Sequence, residues 1–156
     1  MTLSSDDSKT RKQGSQSLKT CKHSLSALLV EDAPENQFLI SKILGNCAIA
    51  VEIANDGAEG VRKALAGTFD FILMDMHMPV LDGYDATRSL RKLGYDRPII
   101  ALTADSLAED HVRILGCGCD AHLTKPVDFR CLLETIEALL TNAANRHYVV
   151  DDIFQK

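Results

Sequence analysis

Between residues 26 and 124 five short apolar runs alternate with longer stretches whose apolar residues recur every three or four positions. The runs are Ala27–Val30, Ala48–Ala54, Phe69–Met74, Ile99–Leu102 and Ala121–Leu123. Such an alternation is the pattern of βα units wound around a parallel sheet. Phe69–Met74 and Ile99–Leu102 are nearly continuous in apolar character, as expected of central strands covered by helices on both faces. In the second run Glu52 sits between Val51 and Ile53, an alternation that suits a less buried edge strand.

The helical spacing is clearest at the end, where Phe129, Leu132, Leu133, Ile136, Leu139 and Leu140 fall on one helical face and Asp128 is placed to cap it. Leu39, Ile40, Ile43 and Leu44 mark a first helix opened by Pro34, with Gly45 where it could stop. Ala58, Val61 and Leu65 mark a second, Tyr84, Leu90 and Leu93 a third, and Ala108, Val112 and Leu115 a fourth. Residues 1–23 are Ser, Thr, Lys and Gln with almost nothing apolar, a composition that cannot repay the entropy of folding, and they are read as a disordered polar leader. One folded domain is therefore expected over 24–141, with 142–156 as a C-terminal tail.

Composition narrows the function classes. The net charge is −5, but the leader carries +3 and the rest of the chain −8. An acidic body argues against direct contact with nucleic acid. No apolar run reaches the length that crosses a bilayer, so no membrane contact by this segment and a cytoplasmic location are expected. Five cysteines at irregular spacing argue against a disulfide framework. Cys117, Cys119 and His122 invite a zinc reading, but a fourth ligand is missing, and small side chains packed beside a strand are the better account.

Unusual polar residues cluster at the ends of the strands. Glu31 and Asp32 follow the first, Asp75 ends the third, Thr103 ends the fourth and Lys125 follows the fifth. The carboxyl ends of the strands in an open parallel sheet form one rim where ligands bind. Three carboxylates gathered there would repel one another unless a cation joined them, and magnesium suits carboxylates, a carbonyl oxygen and phosphate oxygens. Lys125 can offset charge on a phosphoryl group and the Thr103 hydroxyl can donate to one of its oxygens, so a carboxylate can act as nucleophile toward phosphorus.

The segments "ALLVEDAPENQ", "FDFILMDMHMPVLDG", "PIIALTA" and "AHLTKPVD", in this order and spacing, resemble the receiver domains of response regulators and hybrid histidine kinases over Ser26 to Leu140. The resemblance implies a flavodoxin-like, doubly wound α/β fold with a five-stranded parallel sheet in the order 2-1-3-4-5 and five helices. It implies Asp75 as phosphoacceptor, with Glu31, Asp32, Asp75 and the backbone carbonyl of His77 around Mg2+. Lys125 and Thr103 would be the phosphate-binding lysine and the switch hydroxyl, and the Lys125–Pro126 bond is expected to be cis. Expected partners are a histidine kinase or a histidine phosphotransfer protein, with a weak homodimer allowed, and the face around the fourth helix, fifth strand and fifth helix would signal the phosphorylated state.

This chain departs from the common pattern at three places. Glu31 stands where many members carry Asp, and its longer arm suits contact with the metal through a water. Ala33 stands where many carry Asn. His122 takes the position of a Tyr or Phe that rotates inward on activation, and it can also titrate near neutral pH. Asp70 is read as an exposed or capping residue and Met74, Met76 and Met78 as packing. Asp82-Gly83 is read as turn chemistry in which Gly83 supplies backbone freedom.

Two rival functions are weaker. A phosphohydrolase of the haloacid dehalogenase kind wants a second Asp two residues after the nucleophile, where this chain has His77. A degenerate receiver acting only as an interaction module would have lost Asp75, Asp32 or Lys125. Fifteen residues after Thr141 cannot form a DNA-binding domain, so output is expected from a partner or a longer parent chain, a free-standing regulator fitting equally well.

Overall fold

The three central strands carry apolar side chains on both faces, which commits the sheet to helices on both sides. The computed structural model of the protein describes residues 24–104 and 107–154, with side chains through residue 143. The leader assigned to residues 1–23 lies outside the described residues. In chain order the elements are β1 (Ser26–Val30), α1 (Pro34–Asn46), β2 (Ala50–Ala54), α2 (Gly57–Ala66) and β3 (Phe71–Asp75). After them come α3 (Gly83–Lys92), β4 (Ile99–Thr103), α4 (Ala108–Cys117), β5 (Ala121–Thr124) and α5 (Phe129–Phe154). All pairings are parallel and the order is β2-β1-β3-β4-β5, the doubly wound arrangement the sequence implied.

Alternation divides the core in two. Leu28, Val30, Ile72, Met74, Ile99 and Ala101 face α2, α3 and α4. Ala27, Leu29, Phe71, Leu73, Ile100 and Leu102 face α1 and α5. β3 and β4 are buried at every position, as continuous apolar runs require, whereas β2 reaches solvent at Ala50 and Glu52 and forms one edge.

Local chemistry sets the helix ends. Asp56 accepts from the Glu59 N–H at 2.8 Å and Asp82 from the Asp85 N–H at 2.9 Å, and Asp128 accepts from the Cys131 N–H at 3.0 Å, as expected of a cap. α1 starts at Pro34 without a side-chain cap. Its end differs from expectation: the helix passes Gly45 to Asn46, and Ala48, at φ 59, turns the chain so that β2 begins two residues later than its apolar run. α5 runs on through residue 142 to Phe154 because no Gly or Pro after Val127 stops it. Asp70 accepts from the Ser26 N–H at 2.8 Å and joins the start of β1 to the approach to β3. Among the described residues no helix is long and apolar enough to cross a membrane.

Candidate functional site

β1 lies between β2 and β3, so the chain leaves its carboxyl end in one direction and that of β3 in the other. A crevice opens between them. Val30 pairs with Met74, which sets Glu31 and Asp32 beside Asp75 as both strands end. One oxygen from each of these three carboxylates lies within 4.8 Å of the others, the one such group of metal-capable side chains among the described residues.

Lys125 enters from the far strand. Its Nζ sits 2.8 Å from Glu31 Oε2 and 3.1 Å from Asp75 Oδ2. A backbone contact holds it there, the Lys125 N–H donating to the Thr103 carbonyl at 2.7 Å. The Lys125–Pro126 bond is cis, as expected. Burial works against the charge on Lys125, but the hydrogen bond to Glu31 and the attraction of Asp75 outweigh it and raise its pKa.

Asp75 is nearly enclosed, at 3% exposure. Burial pushes its carboxyl up to about 6, opposed by the hydrogen bond from the His77 N–H and by Lys125. That N–H donates to Asp75 Oδ1 at 3.1 Å. Glu31 is fully buried, and both its oxygens are engaged, Oε2 with Lys125 and Oε1 accepting from the Ala33 N–H at 3.0 Å. Asp32 is exposed, so of the acidic pair it is the one with solvent access to an arriving ion.

Three carboxylates against one ammonium leave the crevice with a net charge of −2. That deficit, presented by hard oxygen donors at the mouth of the sheet, fits a divalent cation such as magnesium. It does not fit zinc, which favours nitrogen and sulfur ligands.

Thr103 ends β4, one residue beyond the Asp75–Leu102 pair, and is fully buried. The His77 ring meets Tyr84 edge-on at 6.1 Å between centroids. His122 is placed against α4, its ring 4.4 Å from that of His111 with ring nitrogens 3.1 Å apart. Cys117 and Cys119 are buried in the core on the α2–α3–α4 side of the sheet.

The structure corrects the reading of Gly83. Its φ is not positive; instead it begins α3 hard against β3. A Cβ there would collide with the Asp75 carbonyl oxygen and come within 2.7 Å of Met76 Cα. Close approach, not backbone freedom, requires glycine, and it sets the loop carrying His77 against the end of β3.

Gln37 is a site residue that sequence reasoning passed over although it stands inside a quoted motif. Its Nε2 donates to the Glu31 carbonyl at 2.6 Å and to Asn55 Oδ1 at 3.0 Å, fixing the acidic pair to α1 and to the loop after β2. Arg91 is another. From α3 it donates to the carbonyls of Gly118, Tyr95 and Arg97 and pairs with Asp120 at 2.8 Å, fastening the entry to β5. Neither has a local sequence signal, since each acts on partners brought near only by the fold.

Comparison with known proteins agrees with this geometry. Residues 27–137 match the family model described as the response regulator receiver domain. The chain is 38% identical over 119 residues to the sensor histidine kinase RcsC of Escherichia coli K12, covering 76% of this chain and 12% of that one. It thus spans about an eighth of that relative's length.

Among solved structures, it resembles the receiver domain of the sensor histidine kinase PA1611 of Pseudomonas aeruginosa PAO1, which has a magnesium ion coordinated in its active-site cleft. The identity is 39% and the TM-score 0.71, covering 76% of this chain and 99% of that one. It also resembles the Saccharomyces cerevisiae complex of the histidine phosphotransfer protein Ypd1 with the receiver domain of Ssk1, at 30% identity and a TM-score of 0.71, covering 74% and 88%.

Proposed function

We propose, since this chain belongs to the response regulator receiver domain family, that Asp75 is the phosphoacceptor of a phosphorelay and takes its phosphoryl group from a phosphohistidine. The observation that carries this reading is the placement of a nearly enclosed Asp75 carboxylate 3.1 Å from Lys125 in a crevice of net charge −2. The donor would be a histidine kinase or a histidine phosphotransfer protein; the yeast complex of a similar receiver with a phosphotransfer protein supports the second.

Glu31, Asp32, Asp75 and the His77 carbonyl are the groups that would hold Mg2+, which when bound supplies positive charge beside the phosphoryl oxygens. An Asp75 carboxylate oxygen attacks phosphorus as the bond from phosphorus to the donor imidazole breaks. Lys125 offers a point charge to the transferred oxygens, and the Thr103 hydroxyl donates to one of them once the end of β4 moves inward. That movement makes room for His122 to turn in from α4, and the α4–β5–α5 face changes. Residues 24–141 are the unit that does this, acting in the cytoplasm as a receiver segment of a hybrid histidine kinase, the parent that the curated relatives favour.

The test is chemical. With magnesium and a small phosphodonor or a phosphorylated kinase, wild type should gain one base-labile acyl phosphate, chelation of divalent ions should abolish it, and Asp75→Asn should gain none. Undiminished labelling of the Asn variant removes the reading.

A further inference from the structure

Two buried thiols take no part in the phosphoryl site. Cys117 is the last residue of α4, Cys119 stands just before β5, and their Sγ atoms are 3.8 Å apart. Gly118 between them has φ 113, the left-handed region where glycine alone is at ease, and it ends the helix. We infer that Cys117 and Cys119 form a peroxide-sensitive dithiol that closes to an intramolecular disulfide across the turn joining α4 to β5.

The geometry favours closure on three counts. The sulfurs are already in contact, so bonding at about 2.05 Å needs less than 2 Å of approach. Gly118 carries no side chain that would resist the rotation, and the residues around it are held by Arg91, not by a covalent tether. α4 is lightly anchored: only Ile114 and Cys117 of the helix are buried, while Val112 and Leu115 face solvent. Local opening of such an element admits a small oxidant to groups that are covered on average.

The two thiols are unequal. The hydrogen bond from Cys119 holds the Cys117 thiol down at about 7, and the same contact, with burial, pushes Cys119 up. Thr87 Oγ1 lies 3.7 Å from Cys119 Sγ. Cys117 Sγ donates to the Ile114 carbonyl at 3.0 Å, a contact it gives up on ionising; Cys117 is assigned as the attacking sulfur and Cys119 as the resolving one.

Each step balances with a hydroperoxide as oxidant. The Cys117 thiolate attacks a peroxide oxygen, the O–O bond breaks, and the departing oxygen leaves as water or an alcohol after taking a proton, with Cys117 now a sulfenic acid. Cys119 Sγ then attacks Cys117 Sγ; the S–O bond breaks, the S–S bond forms, and the hydroxyl leaves as water with the Cys119 proton. Each sulfur is oxidised by one electron and the peroxide is reduced by two. Asp75 is not involved, so the chemistry stands whether or not the domain is phosphorylated.

The sequence makes the test unambiguous, because trypsin releases Ile114–Arg130, in which Cys117 and Cys119 are the only cysteines. The full chain, reduced and desalted, is titrated with hydrogen peroxide, alkylated and digested. This peptide should lose two hydrogens and escape alkylation before Cys47 or Cys131 takes up oxygen, and dithiothreitol should restore it. Cys119→Ser should let Cys117 run on to sulfinic acid, whereas Cys117→Ser should leave Cys119 unoxidised. If the wild-type peptide carries two alkylated thiols after Cys131 is oxidised, or if Cys119 oxidises as readily without Cys117, the inference is wrong. The wild-type mass shift decides the matter alone if either variant fails to fold.

Discussion

Glu31 and Asp32 are neighbours in sequence with opposite surroundings. Glu31 is buried with both oxygens committed to Lys125 and the Ala33 N–H, whereas Asp32 is open to solvent. A metal ion can recruit Asp32 without breaking a contact but must compete with Lys125 for Glu31. Asp32→Asn is expected to weaken magnesium binding by roughly tenfold or more, and Glu31→Gln by less; a magnesium titration showing equal losses would mean that the pair shares the ion evenly. Asp75 yields a stability test. Its pKa, raised from 3.8 to about 6, means that the metal-free folded state bears the cost of a buried charge above pH 6. Stability should rise as pH falls through 6, where the folded form takes up a proton that the unfolded chain does not, and should level off near 4. Asp75→Asn, still leaving Lys125 its Glu31 partner, should therefore be the more stable protein at pH 7 by on the order of 1 kcal/mol. That is roughly 4 °C in melting temperature for a domain of this size, and the gap should close toward pH 4.

These residues were legible because a polar side chain at the end of an apolar run is conspicuous. Gln37 and Gly83 were not read correctly because their work is a matter of distance: one reaches a carbonyl six residues back, and the other makes room for a backbone that only the fold brings near.

All ten elements of the described chain follow from apolar periodicity, but the buried face of each helix does not. Leu39, Leu65, Leu93 and Val112 lie on predicted apolar stripes and are nonetheless 48%, 48%, 62% and 71% exposed. A stripe shows that a helix forms; how much of it the sheet can cover depends on crossing geometry, which spacing does not encode. Strand limits moved for similar reasons. Phe69 is buried yet precedes β3, and β4 and β5 each take in one more residue, Thr103 and Thr124, that apolar character alone excluded. The Ala33 departure shows its effect at this scale. As N-cap of α1 it offers no side-chain acceptor, so Ala33→Asn should stabilise the domain by about 1 kcal/mol, visible as a higher denaturant midpoint with unchanged m-value.

At the scale of the whole molecule, the site and the proposed output face are joined through β4 and β5. Thr103 ends β4 and its carbonyl holds the Lys125 N–H. His122, three residues before Lys125, packs on His111 of α4. A shift of the end of β4 toward Asp75 thus reaches α4 through one strand pairing and one ring contact. Burial, and then repulsion by His111, lower the pKa of His122, so the uncharged ring is favoured, and its contact with His111, ring nitrogens 3.1 Å apart, is the link to α4 that turning must break. Moving such a two-state element from 1:99 to 99:1 requires a differential of about 5.5 kcal/mol. Hydrogen bonding of the Thr103 hydroxyl to a charged phosphoryl oxygen is worth about 1.5–3 kcal/mol of that, too large a share for the switch to complete without it. Thr103→Ala should accordingly accept phosphate, since Asp75, Asp32 and Lys125 remain, yet lose most of the response beyond the site. Amide chemical-shift changes across residues 107–124 on adding a phosphoryl mimic measure this directly. They should shrink several-fold in the variant while those beside Asp75 persist, and a full wild-type pattern in the alanine protein would show that the signal leaves the site by another route.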